Sequence, residues 1–275
     1  MNRFIPLLVL CNFFVSSCQQ ESTLDNRVVS KVESIQLDQK YPTNVTRLLK
    51  GYPDIVVDYV DNYIIFWDST IFLYNDSMIK NESELLSNPD IEDMFHYQYT
   101  LNKDHDSLPP SSDPGRIRNN EFFNKVYGAS KKEVEDNLTE VIWCPTLVNK
   151  LIRVNTKNGA AEAFVKVSNE LDQHPEFANY VSSIGGTFNY RNIKGTNRLS
   201  MHSYGVTIDI NVSKSNYWQW DSRSTDEKMV GKYKNSIPLE LVHIFEKHGF
   251  IWGGAWRHYD TMHFEYRPEL ITNIK

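Results

Sequence analysis

The 275-residue chain contains only three cysteines, too few for a disulfide framework. Two of them, Cys11 and Cys18, lie near the N-terminus, which leaves Cys144 alone in the rest of the chain. A single cysteine between Trp143 and Pro145 is typical of a small buried hydrophobe. Glycine and proline are also sparse, at 12 and 11 residues, and there is no low-complexity segment or internal repeat. The composition therefore predicts a core held by packing and not by disulfides.

Basic residues are in the minority, because 29 Lys and Arg residues face 35 Asp and Glu residues and give a formal net charge of −6. Proteins that bind nucleic acid usually carry a basic patch, so this acidic balance argues against a nucleic-acid partner. The hydrophobic fraction of 40% and the aromatic fraction of 13% are sufficient for a sizeable core. The length predicts one large domain or a domain with an additional lobe.

Long hydrophobic runs are rare, and the clearest one lies at the N-terminus. Phe4–Val15 is apolar apart from three interruptions and follows the cationic start Met1–Arg3. About a dozen apolar residues is too short to span a bilayer and suits the core of a signal peptide. The next residues, Val15–Cys18, resemble a bacterial lipoprotein cleavage site; ordinary secretory cleavage with an incidental Cys18 is the alternative. We predict a lipoprotein-type signal peptide at residues 1–18, lipidation of Cys18, and export to the cell envelope with a membrane anchor.

Strand-like segments follow between residues 55 and 74. Three short runs rich in β-branched and aromatic residues are separated by Asp-Asn and Asp-Ser turn pairs, which predicts a small antiparallel meander. A proline-rich stretch at residues 108–115 is the best linker in the chain. We therefore predict a tether and an N-terminal β-meander and helical region at residues 19–110, followed by a second domain at residues 111–275.

The second domain contains both helical and strand-like patterns. Apolar residues recur at helical spacing in Gly159–Leu171 and Pro238–Lys247, whereas Val206–Ile210 and Met262–Tyr266 alternate as strands do. These segments do not follow a regular βαβ order, which favours an α+β fold over a doubly wound sheet. We predict a small antiparallel sheet flanked by helices, with the N-terminal meander as an extension.

The first chemically distinctive segment is Ser200–Asp209. Its His202 and Asp209 are seven residues apart with Gly205 between them, and glycine permits a turn that can bring both side chains to one point. In the predicted strand, Thr207 and Asp209 share the face opposite to the apolar residues, where a ligand should project. Taken alone, the pair is explained equally well as a loop histidine and a solvated carboxylate.

The second distinctive segment is Asp260–Glu265. His263 and Glu265 share one face of the predicted strand, although a single histidine there is most often an ordinary polar residue. Asp260 can approach the same point only if the chain bends, because residues three apart on a flat strand face opposite sides. Two histidines and one carboxylate are ligands that leave the fourth position of zinc open. We predict a catalytic zinc site on the sheet, with Asp260 as general base and Glu265 as the rival base.

Together, Ser-x-His-x-x-Gly-x-x-x-Asp and Asp-x-Met-His-Phe-Glu resemble the zinc peptidases of the D-alanyl-D-alanine carboxypeptidase type. That group includes L-alanyl-D-glutamate endopeptidases and shares its core fold with the hedgehog signalling domain. The resemblance covers about Trp143–Tyr266 and is closest to one branch of bacterial members. It implies that His202, Asp209 and His263 bind zinc and that Asp260 is the base. Residues 111–275 would then be the catalytic domain.

The resemblance also implies residues that contact substrate. Arg191 matches an arginine that faces the substrate and the oxyanion, and Ser200 matches a serine that hydrogen-bonds substrate. We further assign Tyr204 to substrate binding and Trp256 to the wall of a groove, and we expect Trp252 to belong to the core.

The substrate that this resemblance implies is a stem peptide of peptidoglycan. Whether the cleaved bond is D-Ala-D-Ala or L-Ala-D-Glu stays open, and so does the choice between carboxypeptidase and endopeptidase. One alternative is a non-catalytic zinc-binding recognition module at the cell envelope, as in hedgehog. A second alternative is a structural lipoprotein whose N-terminal meander binds a partner.

Overall fold

Short helices and small antiparallel sheets make up residues 40–103 and 110–271, the parts of the chain that this computed structural model describes. The strands are β1 (Val56–Val60), β2 (Tyr63–Phe66), β3 (Ile71–Leu73), β4 (Leu138–Trp143), β5 (Lys150–Asn155), β6 (Ile184–Gly186), β7 (Thr207–Asn211), β8 (Phe250–Trp252) and β9 (His263–Tyr266). The α-helices are α1 (Thr43–Gly51), α2 (Glu82–Ser87), α3 (Asn120–Tyr127), α4 (Lys131–Asp136), α5 (Ala160–Leu171), α6 (Ala178–Val181), α7 (Trp218–Ser222), α8 (Leu239–Lys247) and α9 (Pro268–Ile271). The predicted signal peptide and Cys18 lie outside these residues.

The central sheet has the strand order β6-β7-β9-β8, and each neighbouring pair is antiparallel. Helices α5 and α8 pack on it through apolar side chains that are fully buried, including Phe164 and Phe245. Phe245 stacks on Phe264 of β9 with ring centroids 3.9 Å apart. This arrangement confirms the predicted α+β fold with a small antiparallel sheet flanked by helices. Across the described ranges, every helix is too short or too polar to span a lipid bilayer.

The predicted N-terminal meander is present as the sheet β1-β2-β3. Ile64 and Phe66 of β2 are buried, and the ring of Phe66 lies 6.0 Å from that of Phe122 in α3. The meander and the central sheet belong to the same compact unit, Thr43–Lys275.

A hairpin of β4 and β5 supports the segment that carries His202. The backbone N–H of Asn155, at the end of β5, donates to the Gly205 carbonyl at 2.9 Å, and its side chain donates to the Tyr204 carbonyl at 2.9 Å. Gly205 has a left-handed φ of 68°, and a Cβ atom there would lie 2.6 Å from Cδ2 of Leu138 in β4. Both observations explain why a glycine occupies this turn.

Candidate active site

Strand pairing brings two of the three predicted ligands together. Asp209 of β7 and His263 of β9 are direct partners in the antiparallel register, and residues directly opposite each other have closely spaced side chains. Asp209 Oδ1 lies 3.1 Å from His263 Nδ1, and Asp209 Oδ2 lies 3.1 Å from His202 Nε2. The rings of His202 and His263 are 5.2 Å apart in an edge-to-face arrangement. All three predicted ligands therefore meet at the carboxylate of Asp209.

His202 is presented by a short 3-10 helix, Met201–Tyr204. The Ser200 side chain caps this helix by accepting a hydrogen bond from the His202 N–H at 3.4 Å, and left-handed Gly205 ends it. Ser203 ties the helix to the preceding segment, because its hydroxyl donates to the Arg191 carbonyl at 2.8 Å and accepts from the Arg191 N–H at 2.9 Å. These local hydrogen bonds fix the position of the helix that carries His202.

The imidazole of His202 has a defined orientation. Its Nδ1 lies 2.8 Å from the Thr187 carbonyl oxygen, which can only accept, so Nδ1 carries the proton. The Thr187 hydroxyl in turn donates to the Arg153 carbonyl at 2.7 Å. Nε2 is therefore left with its lone pair directed toward Asp209, as metal coordination requires.

Glu265 gives His263 the complementary orientation. Glu265 Oε2 lies 3.0 Å from His263 Nε2, so the lone pair of Nδ1 faces Asp209. The carboxylate is fully buried and also accepts hydrogen bonds from Arg118 at 2.7 Å and Arg267 at 2.9 Å. Burial opposes ionisation, but Arg118, His263 and Arg267 lower the pKa of the Glu265 carboxyl well below its usual range. Glu265 therefore stays ionised and accepts hydrogen bonds from His263, Arg118 and Arg267. Because its oxygens are already used to orient His263, Glu265 is poorly suited to act as the base.

The donor set fits zinc. The three ligand atoms lie within 4.8 Å of one another. With Zn–N and Zn–O bonds of about 2.0–2.1 Å, tetrahedral ligand atoms lie about 3.3 Å apart. The two 3.1 Å separations at Asp209 are of this size, and each involves a different oxygen of the carboxylate. Histidine nitrogen and aspartate oxygen are ordinary zinc donors, and three protein ligands are the number found in catalytic sites. His202, Asp209 and His263 would therefore hold the metal.

Asp260 lies beside the ligands with an unused oxygen. A turn at Thr261 and Met262 separates it from β9, which supplies the bend that its position requires. The residue is partly exposed to the cleft, but its Oδ1 is buried and has no hydrogen-bond partner among the described residues. Burial and the negative charge of Asp209 raise the pKa of Asp260 to about 7, against the opposing charges of His263 and Arg191. A carboxylate with a raised pKa and a free oxygen is suited to proton transfer.

A cleft of about 200 Å³ opens over these residues, and Arg191, Ser200 and Trp256 lie in its walls. The Trp256 ring is 5.5 Å from that of His263, and its Nε1 donates to the Pro114 carbonyl at 2.5 Å. Trp252 is fully buried, and its Nε1 donates to the Thr261 carbonyl at 2.9 Å, as expected for a core residue. Trp256 therefore forms a largely buried part of the cleft wall.

Tyr204 does not reach the cleft, so we no longer assign it to substrate binding. Its side chain is buried between the rings of Phe123 and Tyr127, and its hydroxyl donates to Asn124 Oδ1 at 2.8 Å. The reason is geometric: with three residues per turn in a 3-10 helix, residues two apart point about 120° away from each other. When His202 faces the cleft, Tyr204 faces the core.

Several cleft residues are not identifiable from the two motifs. Arg116, Arg118, Arg198, Tyr217 and His258 all line the cleft. Burial and the negative charge of Asp260 raise the pKa of Tyr217 to about 12. The only sequence signal near the first two arginines is the proline-rich stretch at residues 108–115, which precedes them.

Comparison with known proteins agrees with this geometry. Residues 194–266 match the family model described as D-alanyl-D-alanine carboxypeptidase. This segment contains the three ligands, Asp260 and Glu265, whereas Arg191 lies just before it. No curated protein and no solved structure matches the chain. Residues 194–266 are therefore similar to the D-alanyl-D-alanine carboxypeptidase family of peptidases, in agreement with the resemblance of the motifs.

Proposed function

We propose that this protein is a zinc-dependent peptidase that hydrolyses peptide bonds in the stem peptides of peptidoglycan. The observation that carries the proposal is the position of Asp260, whose unpartnered Oδ1 lies in the same cleft as the three convergent ligands. Burying a polar oxygen without a partner costs free energy. A role in proton transfer explains why such an arrangement is kept, and a purely structural metal site does not need it.

The metal ligands, Asp260 and Arg191 would each have a different role in the hydrolysis of the peptide bond. A zinc ion held by the three ligands would polarise the scissile carbonyl and lower the pKa of the attacking water. Asp260 takes a proton from that water as oxygen attacks the carbonyl carbon, and it returns the proton to the nitrogen as the C–N bond breaks. Arg191 is exposed, and within the described part of the chain the only hydrogen bond of its side chain is a 3.5 Å bond to the Asn192 carbonyl, so its guanidinium can approach the developing oxyanion.

The proposal is tested by incubating the purified, zinc-loaded protein with peptidoglycan fragments and analysing the products by mass spectrometry. Loss of a terminal alanine identifies a carboxypeptidase, and a cut between L-Ala and D-Glu identifies an endopeptidase. Removal of zinc by a chelator should abolish product formation, and added zinc should restore it. One bound zinc per chain without cleavage of any fragment would instead identify a recognition module.

We also propose that the protein is exported and attached to a membrane of the cell envelope through a lipid on Cys18. The apolar segment Phe4–Val15 and the Val-Ser-Ser-Cys sequence that follows it support this placement. Fractionation of cells that express the wild type or Cys18→Ser tests it. The wild type should be found with membranes and the variant should not, whereas an identical distribution of the two would rule out the anchor.

A further inference from the structure

The cleft is strongly basic although the chain is acidic overall. Of the residues that the structure describes, only two acidic ones line it: the proposed ligand Asp209 and the neighbouring Asp260. Against them stand five basic residues: Arg116, Arg118, Arg191, Lys194 and Arg198. In a protein with a formal net charge of −6, this concentration of positive charge calls for an explanation.

Two of the five cations are neutralised by the protein. Arg116 forms ion pairs with Asp113 at 2.9 Å and with Glu227 at 2.7 Å, and Arg118 pairs with Glu265 at 2.7 Å. Arg191, Lys194 and Arg198 have no such partner: within residues 40–103 and 110–271, no carboxylate is in ion-pair contact with any of them. The unbalanced charge therefore lies on one side of the cleft.

The three unpaired cations share one short hairpin, residues 191–199, which we call the cationic hairpin. Asn192 and Leu199 form an antiparallel bridge, and the Ile193 N–H donates to the Arg198 carbonyl at 2.8 Å. The base of the hairpin is fixed, because the Ser200 N–H donates to the Arg191 carbonyl at 3.0 Å. The cations are therefore carried by an ordered element that adjoins the ligand helix.

Arg198 is the most informative of the three. It is only partly exposed, and its guanidinium makes no hydrogen bond to any described residue, since the bonds of Arg198 involve only its backbone. Burial lowers the pKa of Arg198 to about 10, and the positive charges of Arg118 and Arg116 add to the shift. A desolvated cation next to other cations is unfavourable unless an anion joins it. That anion has to come from a ligand.

We propose that Arg198, assisted by Lys194, forms a subsite for a carboxylate of the peptide substrate, an inference that rests on the proposed function. This subsite is separate from Arg191, which acts at the scissile bond. A guanidinium recognises a carboxylate through two parallel hydrogen bonds, which an ammonium cannot reproduce. A stem peptide offers two sources of this group: its terminal carboxylate and the free carboxylate of an internal acidic residue. Arg198 thereby selects substrates by their charge.

The test uses three synthetic substrates: a stem pentapeptide, its C-terminal amide, and the same peptide with the internal D-glutamate carboxylate replaced by an amide. For the wild type, one of the two amides should raise KM about 10- to 100-fold, the usual worth of a hydrogen bond to a charged group. That amide identifies which carboxylate is bound. Arg198→Gln should raise KM for the unmodified peptide by a similar factor and should not weaken binding of the affected amide further.

Affinity is measured separately from turnover in the Asp260→Ala background, by calorimetric titration of the unmodified pentapeptide. Adding Arg198→Gln should weaken binding about 10- to 100-fold with zinc content unchanged, and Arg198→Lys should restore part of the loss. Arg223→Gln is the matched control, because Arg223 is exposed and does not line the cleft. It should leave affinity unchanged.

The outcomes separate this inference from the function on which it rests. If the wild type cleaves none of the peptides, the proposed peptidase function fails. If it cleaves all three with the same KM, the carboxylate subsite does not exist and the peptidase function stands. The comparison of substrates uses the wild type alone, so a folding defect in Arg198→Gln does not affect this result.

Discussion

Asp209 and His263 are paired across strands β7 and β9, with Asp209 Oδ1 3.1 Å from His263 Nδ1. Two of the three proposed ligands therefore take their positions from the register of a sheet, and a slip of one residue in β9 would turn His263 to the opposite face. Only His202 comes from an irregular segment, which explains why capping and turn residues surround it. The proposed metal site is placed mainly by a rigid element, as a catalytic site requires.

Removal of His202 should remove the metal. His202→Ala leaves two ligands in place of three, which is insufficient for a tightly held catalytic zinc, so we expect zinc content near zero after dialysis. His174→Ala is the control, since His174 is partly exposed, pairs only with Glu176 among the ion pairs of the described residues, and lies outside the cleft. Elemental analysis measures both. Full zinc occupancy in His202→Ala would contradict the proposed ligand set.

Replacement of Asp260 should separate catalysis from metal binding. Asp260→Ala removes the proposed base and no ligand, so it should keep zinc and lose about 10²–10⁴-fold in kcat, the usual contribution of a positioned acid–base group. Steady-state kinetics with a synthetic stem peptide, together with zinc analysis, provides the measurement. The assignment would be wrong if Asp260→Ala turned over at nearly the wild-type rate while Glu265→Gln kept zinc and was inactive.

Glu265 should act on the metal through His263. Glu265→Gln removes the charge that fixes the His263 ring and leaves Arg118 and Arg267 with a buried neutral partner, so zinc affinity should fall about 10- to 100-fold. Competition with a chromogenic chelator measures this affinity. Glu269→Gln is a close control: Glu269 is also fully buried and bound to Arg267, but it contacts Tyr52 and not a ligand. It should destabilise the fold and leave zinc affinity unchanged.

Local patterns identify the elements that carry the ligands. The alternation over Val206–Ile210 predicts β7, which the structure places at Thr207–Asn211, and the alternation over Met262–Tyr266 predicts β9 at His263–Tyr266. Both strands keep one polar and one apolar face, so their period is visible in the sequence. In β4 and β5 the paired residues Ile142 and Leu151 are apolar although they are exposed. The alternation of polar and apolar residues is therefore not visible in the sequence of these two strands.

Contacts between residues that are far apart in the chain also cannot be predicted from local sequence patterns. Arg118 and Glu265 form an ion pair although they are 147 positions apart, and no local sequence pattern predicts this contact. The burial of Tyr204 depends on rings from α3, and the unpaired state of Arg198 depends on which carboxylates the fold brings near. The ligand types and their spacing are thus predictable, whereas the residues that tune and surround them emerge only when the chain is folded.

Gly205 should tolerate substitution less well than a glycine with free space around it. Both Gly205 and Gly195 have positive φ, at 68° and 79°, but a Cβ atom meets Leu138 at 2.6 Å in the first case and nothing within 4 Å in the second. Gly195→Ala should cost about 1 kcal/mol for the left-handed backbone, and Gly205→Ala about 1–3 kcal/mol more for overpacking. Urea unfolding of the two variants compares the costs. Equal costs would show that the contact with Leu138 is relieved without strain.

Asp113 should make the free energy of unfolding depend on pH in the acidic range. It accepts hydrogen bonds from His258 Nδ1 at 2.6 Å and Arg116 at 2.9 Å, and although burial opposes ionisation, these partners lower the pKa of Asp113 to about 2. The folded pKa is below the unfolded value of about 3.9, so the carboxylate stabilises the fold above about pH 4, and this contribution is lost as the pH falls toward about 2.

Asp113→Asn should therefore lower the free energy of unfolding by about 2 kcal/mol at pH 7, and its difference from the wild type should shrink between about pH 4 and pH 2. Urea unfolding over a pH series measures the difference directly. Asp136→Asn is the control, because Asp136 pairs with Lys132 on the surface and exposed pairs contribute little at any pH. A difference that stayed constant down to pH 2 would mean that the asparagine acts through packing, and that the charge of Asp113 does not stabilise the fold.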